Sequence, residues 1–261
     1  MKHLHFTTNT TPSSDYFGGH VWVNKNINKV YYTFGNKIAT LKNIIKHGRK
    51  IEEFINNYKK IHTTITASTD LIIAQYGRIG KYNDGNWNII GGTINTDLKT
   101  ALDENFSYFQ KIQTIELPNG DKLDAPHFWA VINTIMTGHG DLGGWAGDLI
   151  QFATTLKTNP TETFPTSTSG GFDKIDWNSD ADAYNIMKTY TNDVLNNIQT
   201  YFTDKLTEKY RINEFITNDN IETRFNNSTD KLLLKILMQQ YGVTNITDAA
   251  TKMQNYIDEN K

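Results

Sequence analysis

The residues of this chain whose types and spacing could do chemistry gather between positions 124 and 182. The stretch DAPHFWAVINTIMTGHGDLGGWAGDL supplies His127, His139, Asp141 and Asp148, and FDKIDWNSDADAYNI supplies Asp176, Asn178, Asp180 and Asp182. One histidine with several carboxylates admits three chemistries. Two carboxylates can divide acid, base or nucleophile duties at a glycosidic bond. A histidine–carboxylate pair can activate water for acyl or phosphoryl transfer. Mixed nitrogen and oxygen donors can hold a divalent metal.

Asp148 is the hardest of these to explain by folding alone. Helical spacing from 141 to about 157 places an apolar stripe at Leu142, Trp145, Leu149, Phe152 and Leu156, and Asp148 falls at its border, where a carboxylate is costly to bury. Asp141 lies on the same flank, two turns away, or roughly 10 Å along the axis. Its structural duty is plain: it caps the helix and faces the positive helix end. Gly143, Gly144 and Gly147 each weaken that helix by about 1 kcal/mol relative to alanine. Three in so short a span imply the close approach of another backbone or of a ligand.

His127 falls in the first turn of the preceding helix, where an imidazole suits a base or a metal ligand and competes with a purely structural role. His139 sits in a Gly-His-Gly corner and reads as exposed. Asp176, Asn178, Asp180 and Asp182 alternate as oxygen ligands do in a calcium loop. Ala181 stands where such a loop needs glycine, and Met187 where it needs a bidentate glutamate. What remains is a looser carboxylate site open to calcium, with no cofactor required, or the capping of a helix that starts near Asp180. Trp129, Trp145 and Trp177 flank these positions, and aromatic faces beside carboxylates suit sugar binding as well as packing.

These residues must be positioned by helices. Residues 1–16 are polar and read as a flexible arm, and 17–261 as one helical domain with a loop at 158–172. His20–Val23 and Lys29–Thr33 alternate as a hairpin does. Apolar spacing gives a helix over 37–61 capped by Asn36, a second from Ser68 to Tyr76, and a third from Asn95 or Thr96 to about Ile112. A hairpin signal follows around Pro118-Asn119-Gly120, and GRIGKYNDGNWNIIGG (77–92) reads as a hairpin or structured loop. Asp124 caps a helix to about Thr137, with Pro126 in its opening turn. The spacing predicts one long helix from Asp180 to Tyr210 and shorter ones near 212–226, 229–241 and 246–259. The fold class expected is mainly α, as an α+β domain with small β-hairpins.

Composition narrows the functions. The 261 residues are 38% hydrophobic and 12% aromatic, enough for a real core, and carry a net charge of −2. Cysteine is absent, which excludes disulfides, thiolate metal sites and cysteine nucleophiles. Arginine occurs only at 49, 78, 211 and 224, so the Lys42–Lys60 stretch reads as a solvated helix face and no nucleic-acid partner is expected. No window is apolar enough for a membrane span, and the N-terminus has no apolar core of a secretory signal. There is no G-x-S-x-G elbow, P-loop, H-E-x-x-H or dinucleotide-binding pattern.

The reading that unites these features is a bacterial hydrolase acting on a glycan polymer such as peptidoglycan. It uses His127, Asp148, Asp180 and Asp182 for chemistry and Trp145, Trp177, Asp141 and His139 for substrate. Such a protein is cytoplasmic, or an effector exported without a classical signal peptide. The alternative is a non-enzymatic structural or interaction module that binds calcium through Asp176, Asn178, Asp180 and Asp182. The oligomeric state is not legible.

Overall fold

The computed structural model describes residues 4–7, 18–24, 29–35, 38–78, 91–140, 142–161, 174–204 and 255, with only the backbone at some of these. Within them the chain is mainly α with small sheets, as its apolar spacing implies. Strands β1 (Leu4–Thr7), β2 (Gly18–Asn24) and β3 (Lys29–Gly35) form one sheet in that order, β2 and β3 antiparallel with Val21 opposite Tyr32. The expected hairpin is present. Leu4–Thr7, read above as part of the arm, adds to it as a parallel edge strand.

Helix α1 (Leu41–Ile61) starts four residues later than its apolar spacing suggested. Thr40 caps it, its hydroxyl accepting from the Asn43 amide at 3.3 Å. Ile38–Thr40 instead forms β4, which pairs in parallel with β5 (Thr114–Glu116), itself antiparallel to β6 (Lys122–Asp124). In that second sheet Ile115 faces Leu123, both buried, while Glu116 and Lys122 beside them are exposed. The alternation has a period of two, as a half-buried hairpin requires. Gly120 closes the turn at φ +88, a conformation glycine adopts without steric cost.

Helices α2 (Thr69–Arg78) and α3 (Thr96–Gln110) follow α1. Asn95 caps α3, accepting from the Asp97 and Leu98 amides at 3.1 Å each. Helix α4 (Ala125–Met136) is the centre of the fold. Every residue from Ala125 to Thr134 is buried, and a helix apolar nearly all round has to be covered on every side. It packs against α2, α5 (Leu142–Thr158) and α6 (Lys174–Lys188). Phe128, Trp129, Val131 and Ile132 join Ile72, Tyr76, Leu102 and Phe109 in the core, each worth about 1.5–3 kcal/mol of burial or more for the largest rings.

The single helix expected from Asp180 to Tyr210 is two. α6 ends at Lys188, and α7 (Val194–Asp204) begins after a corner where Asn192 takes φ +128. Asp193 caps α7, accepting from the Asn196 amide at 2.9 Å. The apolar period at Ile186, Tyr190, Val194 and Ile198 runs across this corner, and so conceals it. Residues 79–90 of the stretch read as a hairpin, residues 162–172 of the loop, and the last three helices apart from residue 255 lie outside the described residues, as does Asp141. No described helix is long and apolar enough to cross a membrane.

Candidate functional site

The site begins where β6 turns into α4. Asp124 ends the strand and caps the helix, its Oδ1 accepting the His127 amide at 2.9 Å. An N-cap bond to the third helical residue is the usual geometry of such a cap, and here it fixes His127 on the first turn, facing inward. His127 is 0% exposed.

Helix α6 supplies the carboxylates. Asp176 and Asp180 stand four residues apart and so share one face of the helix. Both are 3% exposed. They bracket the imidazole: Asp176 Oδ2 lies 3.7 Å from Nε2, and Asp180 Oδ1 lies 3.4 Å from Nδ1. Ser179 ties α6 to the β6–α4 corner, its hydroxyl accepting the Asp124 amide at 2.7 Å and donating to the Ile175 carbonyl.

Helix α5 is the third wall, and two of its three glycines now have reasons. A Cβ at Gly143 would stand 2.6 Å from the Ala130 carbonyl oxygen, so this glycine lets α5 cross α4 backbone to backbone. A Cβ at Gly144 would overlap the Asp180 carboxylate. About two turns on, Gln151 Nε2 approaches His127 Nε2 at 3.5 Å. Asp148 lies to one side of both, about 40° around the helix from Gly144 and about 60° from Gln151 at 100° per residue. Its side chain, like those of Trp145 and Trp177, is outside the described residues.

Of the residues singled out from sequence, the fold thus brings His127, Asp176 and Asp180 together. Asp182 points elsewhere: it advances 200° from Asp180 around the helix and accepts the Tyr201 hydroxyl of α7 at 2.7 Å. His139 lies half-buried in the turn beyond the opposite end of α4, its amide bonded back to the Thr134 carbonyl. Asn178 is half-buried on another side of α6. The alternating calcium spacing does not gather its four residues, because α6 is a continuous helix with a period of 3.6. Nor does Asp180 cap a helix, since α6 starts two turns earlier, at Lys174. Trp129 is core, 5.9 Å from the Phe109 ring and 5.5 Å from that of Phe128.

Sequence reasoning missed Asp124 as more than a cap, Gln151 altogether, and Asp176 as a partner of His127. The available signal was the four-residue spacing of Asp176 and Asp180, which becomes meaningful only once the helix is started at Lys174. Among the described residues, Asp124, His127 and Asp176 each offer a donor atom, and these atoms lie within 4.8 Å of one another.

Magnitudes speak against a purely structural origin. An ion pair at about 4 Å is worth on the order of 4 kcal/mol at an effective dielectric of 20. Desolvating each buried ion costs several kcal/mol, and two carboxylates are buried around a single imidazole. Folding alone gains little from such an arrangement.

Residues 123–259 match the family model described as YkzU uncharacterised protein. The match takes in Asp124, His127, Gln151, Asp176 and Asp180. No curated protein and no solved structure matches the chain.

Proposed function

The chain belongs to the YkzU family of uncharacterised proteins, a membership that names no activity, and from the chemistry of the α4–α5–α6 junction we propose that it is a hydrolase. The observation that carries this reading is the bracketing of one buried imidazole by two carboxylates, with Asp180 at Nδ1 and Asp176 at Nε2. A carboxylate at Nδ1 selects the tautomer whose Nε2 is the basic nitrogen. Nε2 of His127 then takes a proton from water, and Asp176 beside it stabilises the imidazolium that results. Asp148, in register on the α5 face that meets this cluster, is the further carboxylate.

The substrate we assign is a glycan polymer such as peptidoglycan, on the strength of Asp141 and Asp148 alternating with Trp145, and of Trp177 beside Asp176, in the sequence. Of the two settings, cytoplasmic or exported without a classical signal, it is export that would bring the chain to that substrate. The test is release of reducing ends from purified peptidoglycan. His127→Asn and Asp148→Asn should each lower turnover at least about 100-fold, the lower bound of a general acid–base contribution, while the circular dichroism spectrum is kept. A wild-type protein inert toward peptidoglycan overturns the substrate assignment.

A second reading, a non-catalytic module, draws support from the complete burial of His127 and from the Ser179 bond that locks α6 to the Asp124 corner. It expects His127→Asn to lose its fold rather than its turnover.

A further inference from the structure

We propose that the cluster is a metal centre for a first-row divalent ion of the zinc or manganese kind, ligated by Nε2 of His127 and by the carboxylates of Asp124 and Asp176. This rests on the hydrolase reading and reassigns one role in it: Nε2 cannot both ligate an ion and take a proton, so the ion, in place of the imidazole, activates the water. Three arguments carry it.

The first is spacing. The donor atoms of Asp124, His127 and Asp176 lie within 4.8 Å of one another. Two ligands each about 2.1 Å from a tetrahedral zinc stand roughly 3.4 Å apart. The 3.7 Å between His127 Nε2 and Asp176 Oδ2 is close to that edge. Asp124 already accepts the His127 amide through Oδ1, but a carboxylate has about four lone-pair sites on its two oxygens, so capping and ligation are compatible.

The second is the far side of the ring. A metal-bound histidine nearly always offers its other ring N–H to a carboxylate or carbonyl, which fixes the tautomer and raises the basicity of the ligating nitrogen. Asp180 stands 3.4 Å from Nδ1. Its place there is prepared by the absence of a side chain at Gly144. Asp180 is therefore a positioning residue and not a ligand.

The third is Gln151. Its amide reaches within 3.5 Å of His127 Nε2 on the ligand side, and its Oε1 is buried and has no hydrogen-bond partner among the described residues. Rotation of the amide by 180° exchanges nitrogen and oxygen and turns the neutral amide oxygen toward the ion's open position, where it accepts from a bound water. One imidazole among oxygen donors favours zinc or manganese over calcium and magnesium, which take oxygen alone. The calcium expectation thus gives way to a different ion on a different ligand set. The α4 N-terminus opposes a cation, but two carboxylates outweigh a partial helix charge. Three protein ligands leave a position for water, which a zinc ion acidifies toward neutrality. That supplies the hydrolytic nucleophile.

The test is isothermal titration of the EDTA-dialysed full chain with zinc chloride, with calcium chloride as control. We expect one equivalent of zinc bound per chain with a submicromolar dissociation constant, and no calcium binding in the same range. His127→Gln and Asp176→Asn should each weaken zinc at least about 100-fold, and Asp180→Asn about 10- to 100-fold through the orientation of the ring. Circular dichroism on each metal-free variant shows that the fold is kept. Zinc affinity unchanged in both His127→Gln and Asp176→Asn overturns the assignment, as does no zinc binding at all. The two readings fail separately. Stoichiometric zinc binding without peptidoglycan hydrolysis sinks the peptidoglycan assignment and leaves the metal centre standing; hydrolysis undiminished in zinc-free protein does the reverse.

Discussion

Gly144 and Asp180 compete for one space: the carboxylate of Asp180 lies where the Cβ of any larger residue at 144 would stand. Alanine at 144 gains about 1 kcal/mol of helix propensity. It also forces Asp180 away from the imidazole, and overpacking of this kind costs about 1–3 kcal/mol. We therefore expect Gly144→Ala to destabilise the chain by about 1 kcal/mol, and by no more than about 2 kcal/mol, in urea unfolding, despite the better helix former. In a double-mutant cycle with Asp180→Ala the two changes should fall short of additivity by about 1 kcal/mol, as contacting sites do. Strict additivity would show that the two residues do not share the space.

Gly143 and Gly48 separate two kinds of close approach. At Gly143 the obstacle is the Ala130 carbonyl, 2.6 Å from a built Cβ, and backbone cannot rotate away. At Gly48 it is the Leu195 side chain at 2.7 Å, which can change rotamer. Gly143→Ala should cost about 2–3 kcal/mol and Gly48→Ala less than about 1.5 kcal/mol. Thermal melts of the two variants check the order, and a reversed order refutes the account of the α4–α5 crossing.

His47 should make stability pH-dependent. Its Nδ1 lies 2.6 Å from the Tyr108 hydroxyl, and burial, then the nearby Lys50 and Lys46, depress its pKa below the usual histidine value. Because the folded value is the lower one, the unfolded chain takes up the proton first as the pH falls. The stabilising contribution is complete above about pH 6.5 and is lost as the pH drops through that value toward the depressed one. The urea midpoint of the wild type should fall more steeply between about pH 7 and 5 than that of His47→Gln. Parallel profiles would exclude this group as a source of the slope.

Asp70 joins α2 to the α6–α7 corner. Its Oδ2 accepts the Tyr190 hydroxyl at 2.6 Å and the Val194 amide at 3.3 Å, and burial followed by this bond holds the Tyr190 phenol well above its ordinary pKa. Tyr190→Phe should cost about 1.5–3 kcal/mol, the worth of a hydrogen bond to a charged group. Asp70→Ala should cost more, because it leaves a hydroxyl and an amide without their acceptor. Denaturant titration of both variants gives the comparison, and equal losses would mean that the Val194 contact contributes nothing.

Much of this architecture could be read from local chemistry. Asn95 and Asp124 cap helices because their short oxygens reach the next turn, and the Pro118-Asn119-Gly120 turn declares its hairpin. The α6–α7 region was harder. Asp173, Asp176 and Asp180 are all residue types that can open a helix, and only tertiary packing chooses a start at Lys174. Placing the start at Asp180 hid the shared face of Asp176 and Asp180, and with it half of the site. His127 and Asp180 could be named because one is a histidine in a helix's first turn and the other belongs to a run of alternating carboxylates. Their meeting with Asp176 and Gln151 depends on three helices converging, which no single helix's periodicity encodes.

The central claim is that the carboxylates around His127 serve chemistry at the expense of folding. The direct measurement is the thermal midpoint of metal-free Asp176→Asn against metal-free wild type. Removing one buried charge while keeping its shape should leave the midpoint within about 2 °C of the wild type or raise it. A fall of more than about 5 °C, on the order of 2 kcal/mol for a chain of this size, would mean that Asp176 holds the fold together, and the account would be wrong.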